Sequence, residues 1–210
     1  IVTESRNVNE KFNYIHTFYP EGERVVVLED DIHLIDSDNK TFKHFSAACK
    51  MGFREIRRRS KTGGIWAVNP SGNHFFIQNK VTSDKLKLCV AHCYGFISEP
   101  STKDLLVRSI SKGDYERTLR YFLKYNFVVR VDYCGVKTKS YTNEGGMQSD
   151  PAFQRSNYEL WAANWLQDVS KGIISINENR KSSRYTELKI KNIKSLGHNL
   201  RSEMLKGMSD

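Results

Sequence analysis

"GERVVVLEDD", Gly22 to Asp31, sets four apolar residues, Val25 to Leu28, directly against three consecutive acids, Glu29, Asp30 and Asp31. A short β-branched run behind a glycine turn reads as a strand, which leaves the acids at its carboxyl end. Upstream, Val8, Phe12, Ile15 and Tyr19 recur at spacings of four, three and four, one face of a helix that Pro20 and Gly22 close. Helix, tight turn and strand in that order form the αβ half of an α/β sheet, where ligand sites collect at the carboxyl ends of strands.

The rest of the chain continues this alternation. Phe42 to Met51 fits a second helix, and "GGIWAVNPSGNHFFIQN", Gly63 to Asn79, reads as strand, turn and strand, with Pro70 to Asn73 as the turn. "KLKLCVAHCYGFIS" is a further strand candidate. Tyr115, Leu119, Phe122 and Asn126 share one helical face, with Asp114 as the expected N-cap, and the strand Phe127 to Tyr133 follows. "YTNEGGMQSDP" has loop composition, and Asn157 to Gln167 is expected to be a helix. Ile193, Leu196, Leu200 and Met204 keep an amphipathic helical spacing. The expected organisation is one α/β domain over residues 1–180, then a basic amphipathic helix over 181–210.

Composition sets the outer limits. A chain of 210 residues supports one domain with a sizeable core. No apolar stretch approaches the roughly 20 residues needed to cross a bilayer, and the first residues are too polar for a secretory signal. The expectation is a soluble, intracellular protein with no membrane partner. It opens at Ile1 rather than methionine, as a processed chain or a fragment would. Cys49, Cys89, Cys93 and Cys134 are too few and too irregular for a disulfide framework, and Cys89 and Cys93 lack a second pair for zinc.

Charge points to a partner. There are 33 Lys and Arg against 24 Asp and Glu, giving +9 and a pI near 9.3, which suits a polyanion such as nucleic acid or a phosphate-bearing small molecule. The excess gathers in "FREIRRRSK", Phe53 to Lys61, and in the tail from Arg180, where eight Lys or Arg face three acids.

Adjacent carboxylates at a strand end repel one another, and a divalent cation or sugar hydroxyls relieve that cost. Mg²⁺ or Mn²⁺ held by one or two carboxylates plus phosphate oxygens is the usual arrangement where a nucleoside diphosphate leaves, because the ion stabilises the charge developing on it. A strand followed by such acids is thus a nucleotide-sugar transferase signature; the competing reading is a solvated acidic turn. "DSDNKT" has Thr41 where a calcium loop of the EF-hand type needs glycine and Lys40 where a haloacid-dehalogenase motif needs threonine, so neither alternative metal motif fits.

Four ordered segments resemble one family. "NYIHTFYPEGERVVVLEDDI", Asn13 to Ile32; "GGIWAVNPSGNHFF", Gly63 to Phe76; "GDYERTLRYFLKYNFVVRVD", Gly113 to Asp132; and "YTNEGGM" with Arg155 are similar to motifs of the glycosyltransferases associated with TET/JBP-type DNA-base hydroxylases. That family occurs in phages and in kinetoplastids that make glucosylated thymine. Ala67 and Gly113 replace a commonly glycine and a commonly acidic position, respectively. The resemblance implies a GT-A-like fold, a mixed sheet flanked by helices, here expected to lack its N-terminal nucleotide-binding portion. It also implies metal-dependent, inverting transfer of a sugar, commonly glucose from UDP-glucose, to the hydroxyl of a 5-hydroxymethylpyrimidine in DNA, in the cytoplasm of an infected bacterium if the source is viral. A GT-A enzyme acting on a protein or glycan, or a non-catalytic DNA-binding module, are the alternatives.

On that resemblance Asp31 is the expected principal metal ligand, with Asp30 helping through the metal or the donor ribose and Glu29 as a third. Asp114 is the candidate base, against helix capping; Glu116 is the second acid of that block, against a surface pair with Arg120. Trp66 is a candidate wall for sugar or base, against a core role, and Asn73 and His74 are candidates for the acceptor pocket. Gly145, Gly146 and Arg155 are candidates for the diphosphate cradle, the glycines competing with a plain turn. Arg57, Arg58, Arg59 and Lys61 are the candidate DNA contacts, against a solvated helix face. His198, the only histidine after Asp114, stays unassigned.

Overall fold

The computed structural model describes residues 8–138, 155–179 and 186–209. The expected first helix and strand are α1, Val8–Phe18, and β1, Arg24–Leu28. Gly22 takes a φ of 82° in the turn between them, a left-handed value that glycine adopts without steric cost. After the acidic turn come β2, Ile32–Ile35; α2, Phe45–Arg59; β3, Ile65–Asn69; β4, Val81–Thr82; β5, Cys93–Ile97; α3, Gly113–Tyr125; and β6, Val129–Thr138. The last described elements are α4, Arg155–Val169; β7, Ile174–Ile176; β8, Leu188–Ile190; and α5, His198–Gly207.

The principal sheet runs in the order β1, β5, β3, β6, β2, with β4 also paired to β6. β5 is antiparallel to both β1 and β3, and β3 is parallel to β6. Therefore β1, β3 and β6 run the same way and end along one edge of the sheet. Among the described residues β1 has no partner on its outer side. The fold is mixed α/β, as the sequence pattern implies.

Side-chain alternation along the strands builds two cores. Val25, Val27, Ile65 and Ala67 face a layer holding Phe12 of α1, Leu119 and Phe122 of α3, Leu166 of α4 and Met204 of α5. Trp66, Val68, Val129 and Val131 face α2 through Phe53 and Ile56. Trp66 is fully buried, and a Cβ added to Gly52 or to Gly95 would come within 2.4 Å of its indole. Close packing of α2 on β5 thus depends on glycine at both positions. Cys89, Cys93 and Cys134 are buried thiols, and burial pushes Cys89 and Cys134 up to about 12.

Several sequence expectations are corrected. Helix α2 starts at Phe45, not Phe42, because the Phe42 N–H bonds the Leu34 carbonyl. The second strand expected after Pro70 is a 3-10 turn, His74–Phe76, since the Asn73 side chain accepts from the Phe75 N–H and its carbonyl accepts from Phe76. Lys112, at a φ of 59°, and not Asp114, caps α3. The tail helix begins at His198, after Ile193 and Leu196. Its residues Met204 and Met208 are buried in the first core, and Arg201 bonds the Leu123 and Lys124 carbonyls. The basic tail is therefore part of the same packed unit. No described helix is long and apolar enough to cross a membrane.

His16 gives the fold a pH dependence. It is buried on α1, stacked on Phe96 at 4.3 Å and bonded to the Tyr121 hydroxyl. Burial, and then the Arg117 charge, lowers its pKa to about 4 from 6.5. Between these values the unfolded chain binds the extra proton, so stability is full above 6.5 and falls as pH drops toward 4. A loss on the order of 3 kcal/mol is expected from this one group. Urea titrations from pH 7 to pH 4 check it: His16→Phe should flatten the slope, and an unchanged slope would assign the effect elsewhere.

Candidate functional site

The acidic turn is held by strand pairing. Leu28 pairs with Cys93, so Glu29 comes opposite His92, and its N–H bonds the His92 carbonyl at 3.1 Å. The Glu29 carboxylate also bonds His92 Nδ1. Both side chains are half-buried. Burial acts to lower the His92 pKa, but the hydrogen bond and charge of Glu29, with the charges of Asp114 and Asp31, outweigh it and raise the value. His92, absent from the sequence reading, thus bonds one carboxylate, Glu29, and feels the charges of two more from separate segments.

Asp114 shares a recess with His92 because α3 packs on the sheet face to which Val25 and Val27 point. It lies in the first turn of α3, where its Oδ1 accepts from the Tyr115 N–H at 3.0 Å. Burial raises its pKa, while the charges of Arg117, Lys112 and His92 work in the opposite direction. A carboxylate made more basic in this way is better matched to taking a proton near neutral pH.

His92 and Asp114 line a recess of about 340 Å³ together with Lys112, Tyr115, Glu159 and Glu187. Its lining is tied in place: Lys112 Nζ meets Glu159 at 3.1 Å, Glu159 accepts from the Thr186 N–H at 3.1 Å, and the Tyr115 hydroxyl donates to the Leu188 carbonyl at 3.0 Å. The recess is therefore lined by acids, a lysine and His92.

Among the described residues no three His, Cys, Asp or Glu side chains converge as a closed metal cage. Mg²⁺ does not need one, being held by one or two carboxylates with water and phosphate oxygens completing its shell. Glu29 bonds His92, while Asp31 is half-buried and Asp30 exposed at the same turn.

Other expected site residues fall elsewhere. Glu116 is corrected to a structural role: it is fully buried, accepts from the Arg108 and Ser109 N–H groups at 2.8 to 3.1 Å and pairs with Arg120 at 2.6 Å. Every oxygen is engaged away from solvent, so it can neither reach substrate nor form a surface pair. Trp66 is likewise corrected, since a ring enclosed between Gly52 and Gly95 has no face to offer a sugar. Asn73 shapes the 3-10 turn, and His74 Nδ1 is 3.1 Å from the Ser37 carbonyl. Neither residue lines the recess. Gly145 and Gly146, and the side chain of Arg155, lie outside the described residues.

The basic run closes α2. Cations in a last turn interact favourably with the helix dipole, and here they also bind their own chain. Arg58 forks onto Glu55 at 2.7 and 3.0 Å, Arg59 Nε donates to Ser83 Oγ at 2.8 Å, and Arg57 donates to the Lys61 carbonyl at 2.5 Å. All four cations remain exposed. Compared with protein-family models, curated proteins and solved structures, the chain matches none.

The Glu29 to His92 contact is directly measurable. Glu29→Gln removes the carboxylate that counters burial, so the His92 titration midpoint, followed by NMR of the imidazole protons, should fall. An unmoved midpoint would show that the two side chains are not coupled.

Proposed function

We propose that the protein is a GT-A-like glycosyltransferase that moves a sugar from a nucleotide donor to the hydroxyl of a hydroxymethylated pyrimidine in DNA. The observation that supports this most is that His92, bonded to Glu29 of the acidic turn after β1, lines one recess with Asp114 of α3. Glu29 and Asp114 lie more than eighty positions apart in sequence, yet both belong to segments that resemble the family. The sheet order adds support, because β1 ends at the same edge as β3 and β6.

In this reading Asp114 accepts the proton of the acceptor hydroxyl as its oxygen bonds to the anomeric carbon. The bond from that carbon to the diphosphate breaks, and the nucleoside diphosphate leaves with the electron pair. Attack from the side opposite the leaving group inverts the anomeric centre. Asp31, with Asp30, would hold Mn²⁺ or Mg²⁺, which when bound offsets charge on the departing diphosphate. Lys112 adds a positive charge to the recess lining, and the raised His92 pKa favours an imidazolium in the same recess. Tyr115 and Glu159 keep β8 and its preceding segment against the recess, limiting water. Exposed cations at the end of α2 supply phosphate contacts, whose strength falls with salt.

The test is sugar transfer from a panel of nucleotide-sugars to hydroxymethylated DNA, read by mass spectrometry of the digested nucleosides with Mn²⁺ or with EDTA. A metal-dependent hexose increment is expected. Asp114→Asn should lower kcat by about 10²- to 10⁴-fold, and Asp31→Ala should abolish transfer while DNA binding persists. Folded wild-type protein that binds DNA but transfers from no donor would instead favour a DNA-binding module. Transfer to a glycan alone would keep the reaction and replace the acceptor.

A further inference from the structure

Phe75 and Phe76 are the most exposed large apolar residues in the described structure, at 80% and 60% of their surface. Adjacent rings this open cost hydrophobic free energy unless a partner covers them. They are not held loosely. Asn73 Oδ1 accepts from the Phe75 N–H at 3.1 Å, and Asn69 Nδ2 donates to the Phe76 carbonyl at 2.9 Å. On either side, His74 is tied to the Ser37 carbonyl and packs against Phe75 at 4.2 Å, while Ile77 is buried. Gly135 lets Ile77 and the Ser71 carbonyl approach β6, since a Cβ there would lie 2.4 Å from that oxygen. The backbone is therefore fixed at both ends while the rings project outward.

Beside this turn is an open cavity of about 480 Å³, with Phe42 and Tyr133 among its walls and Lys40, Lys43 and His44 at its margin. Asp36 also lines it but is spent on the Asp38 and Lys40 N–H groups, both at 2.9 Å. Asp38 meets Lys40 only at 3.8 Å on the open surface. Rigid aromatic faces next to cations are what binds an unpaired nucleic-acid strand: bases stack on rings, and phosphates meet lysines. A duplex presents no base face to such a pair. The turn follows β3, so it lies along the sheet edge that also carries the acidic turn.

We infer that Phe75 and Phe76, with Lys40 and Lys43, form a platform on which unpaired bases of the acceptor strand stack. The inference rests on the nucleic-acid side of the reading above and specifies a single-stranded or locally opened substrate. Its readout is binding, not transfer, so the two can fail separately.

The experiment is fluorescence anisotropy at fixed salt with labelled oligothymidylate of about 16 nucleotides, an abasic chain of equal length and a duplex. Wild type should bind oligothymidylate tightest. Phe75→Ala/Phe76→Ala should weaken that binding by about tenfold or more, leave the other two probes unchanged and keep the wild-type Tm. Phe75→Leu/Phe76→Leu retains apolar bulk without a π face and should weaken binding similarly. Equal oligothymidylate affinity in either variant and wild type, or no wild-type preference for bases over the abasic chain, would overturn the platform. Stacking-dependent binding without sugar transfer from any donor would sink the transferase reading alone.

Discussion

The buried pair of Glu116 and Arg120 is the constraint on which the placement of α3 depends. Both side chains are at or below 1% exposure, where an ion pair survives only if its remaining hydrogen-bonding positions are also filled. They are filled from three separate segments. Glu116 takes the N–H groups of Arg108 and Ser109, and Arg120 donates to the Asp104 and Met208 carbonyls. One helix thus draws in the loop before it and the last turn of the chain. Removing one partner from such a pair costs about 3–5 kcal/mol, so this knot also holds in place the helix that carries Asp114.

A second requirement comes from the loop at 107–109, which must sit against α1. Asn13 exchanges two bonds with Val107, at 2.6 and 2.8 Å, and Asn9 donates to the Ser109 carbonyl at 2.5 Å. The two asparagines lie four residues apart on one helix face, so α1 acts as a hydrogen-bonding template as well as an apolar one. The Asn13 of the family-like segment therefore has a structural account in this chain. Arg117, packed 4.7 Å from the Phe12 ring and 4.2 Å from the Tyr94 ring, completes the same junction.

Much of the fold was legible because periodicity is local. The runs at Val25 to Leu28, Ile65 to Asn69 and Phe127 to Tyr133 each gave a strand, and the face of Tyr115, Leu119 and Phe122 gave α3. Pairing between strands was not legible, since nothing in Cys93 to Ile97 names Arg24 to Leu28 as its partner. His92 was missed for that reason: its importance comes from standing across a ladder from Glu29. Trp66, open between pocket wall and core, and Glu116, open between a site acid and a surface pair with Arg120, could not be decided for a related reason: residue type suggests chemistry while burial decides access. Gly52 and Gly95, which enclose the indole, are unremarkable in a one-dimensional reading.

The buried thiols have a practical consequence. Cys89, Cys93 and Cys134 are shut away as neutral S–H groups, while Cys49 is half-buried on α2. Alkylation needs an accessible thiolate, so a reagent can attack the three only when the sheet and its helices part. They make the native sequence its own clock for opening: the rate at which they are consumed counts excursions of the core without any introduced probe. Because Cys89 lies in the layer of α3 and Cys93 and Cys134 in that of α2, peptide mapping of the modified sites tells which layer opened.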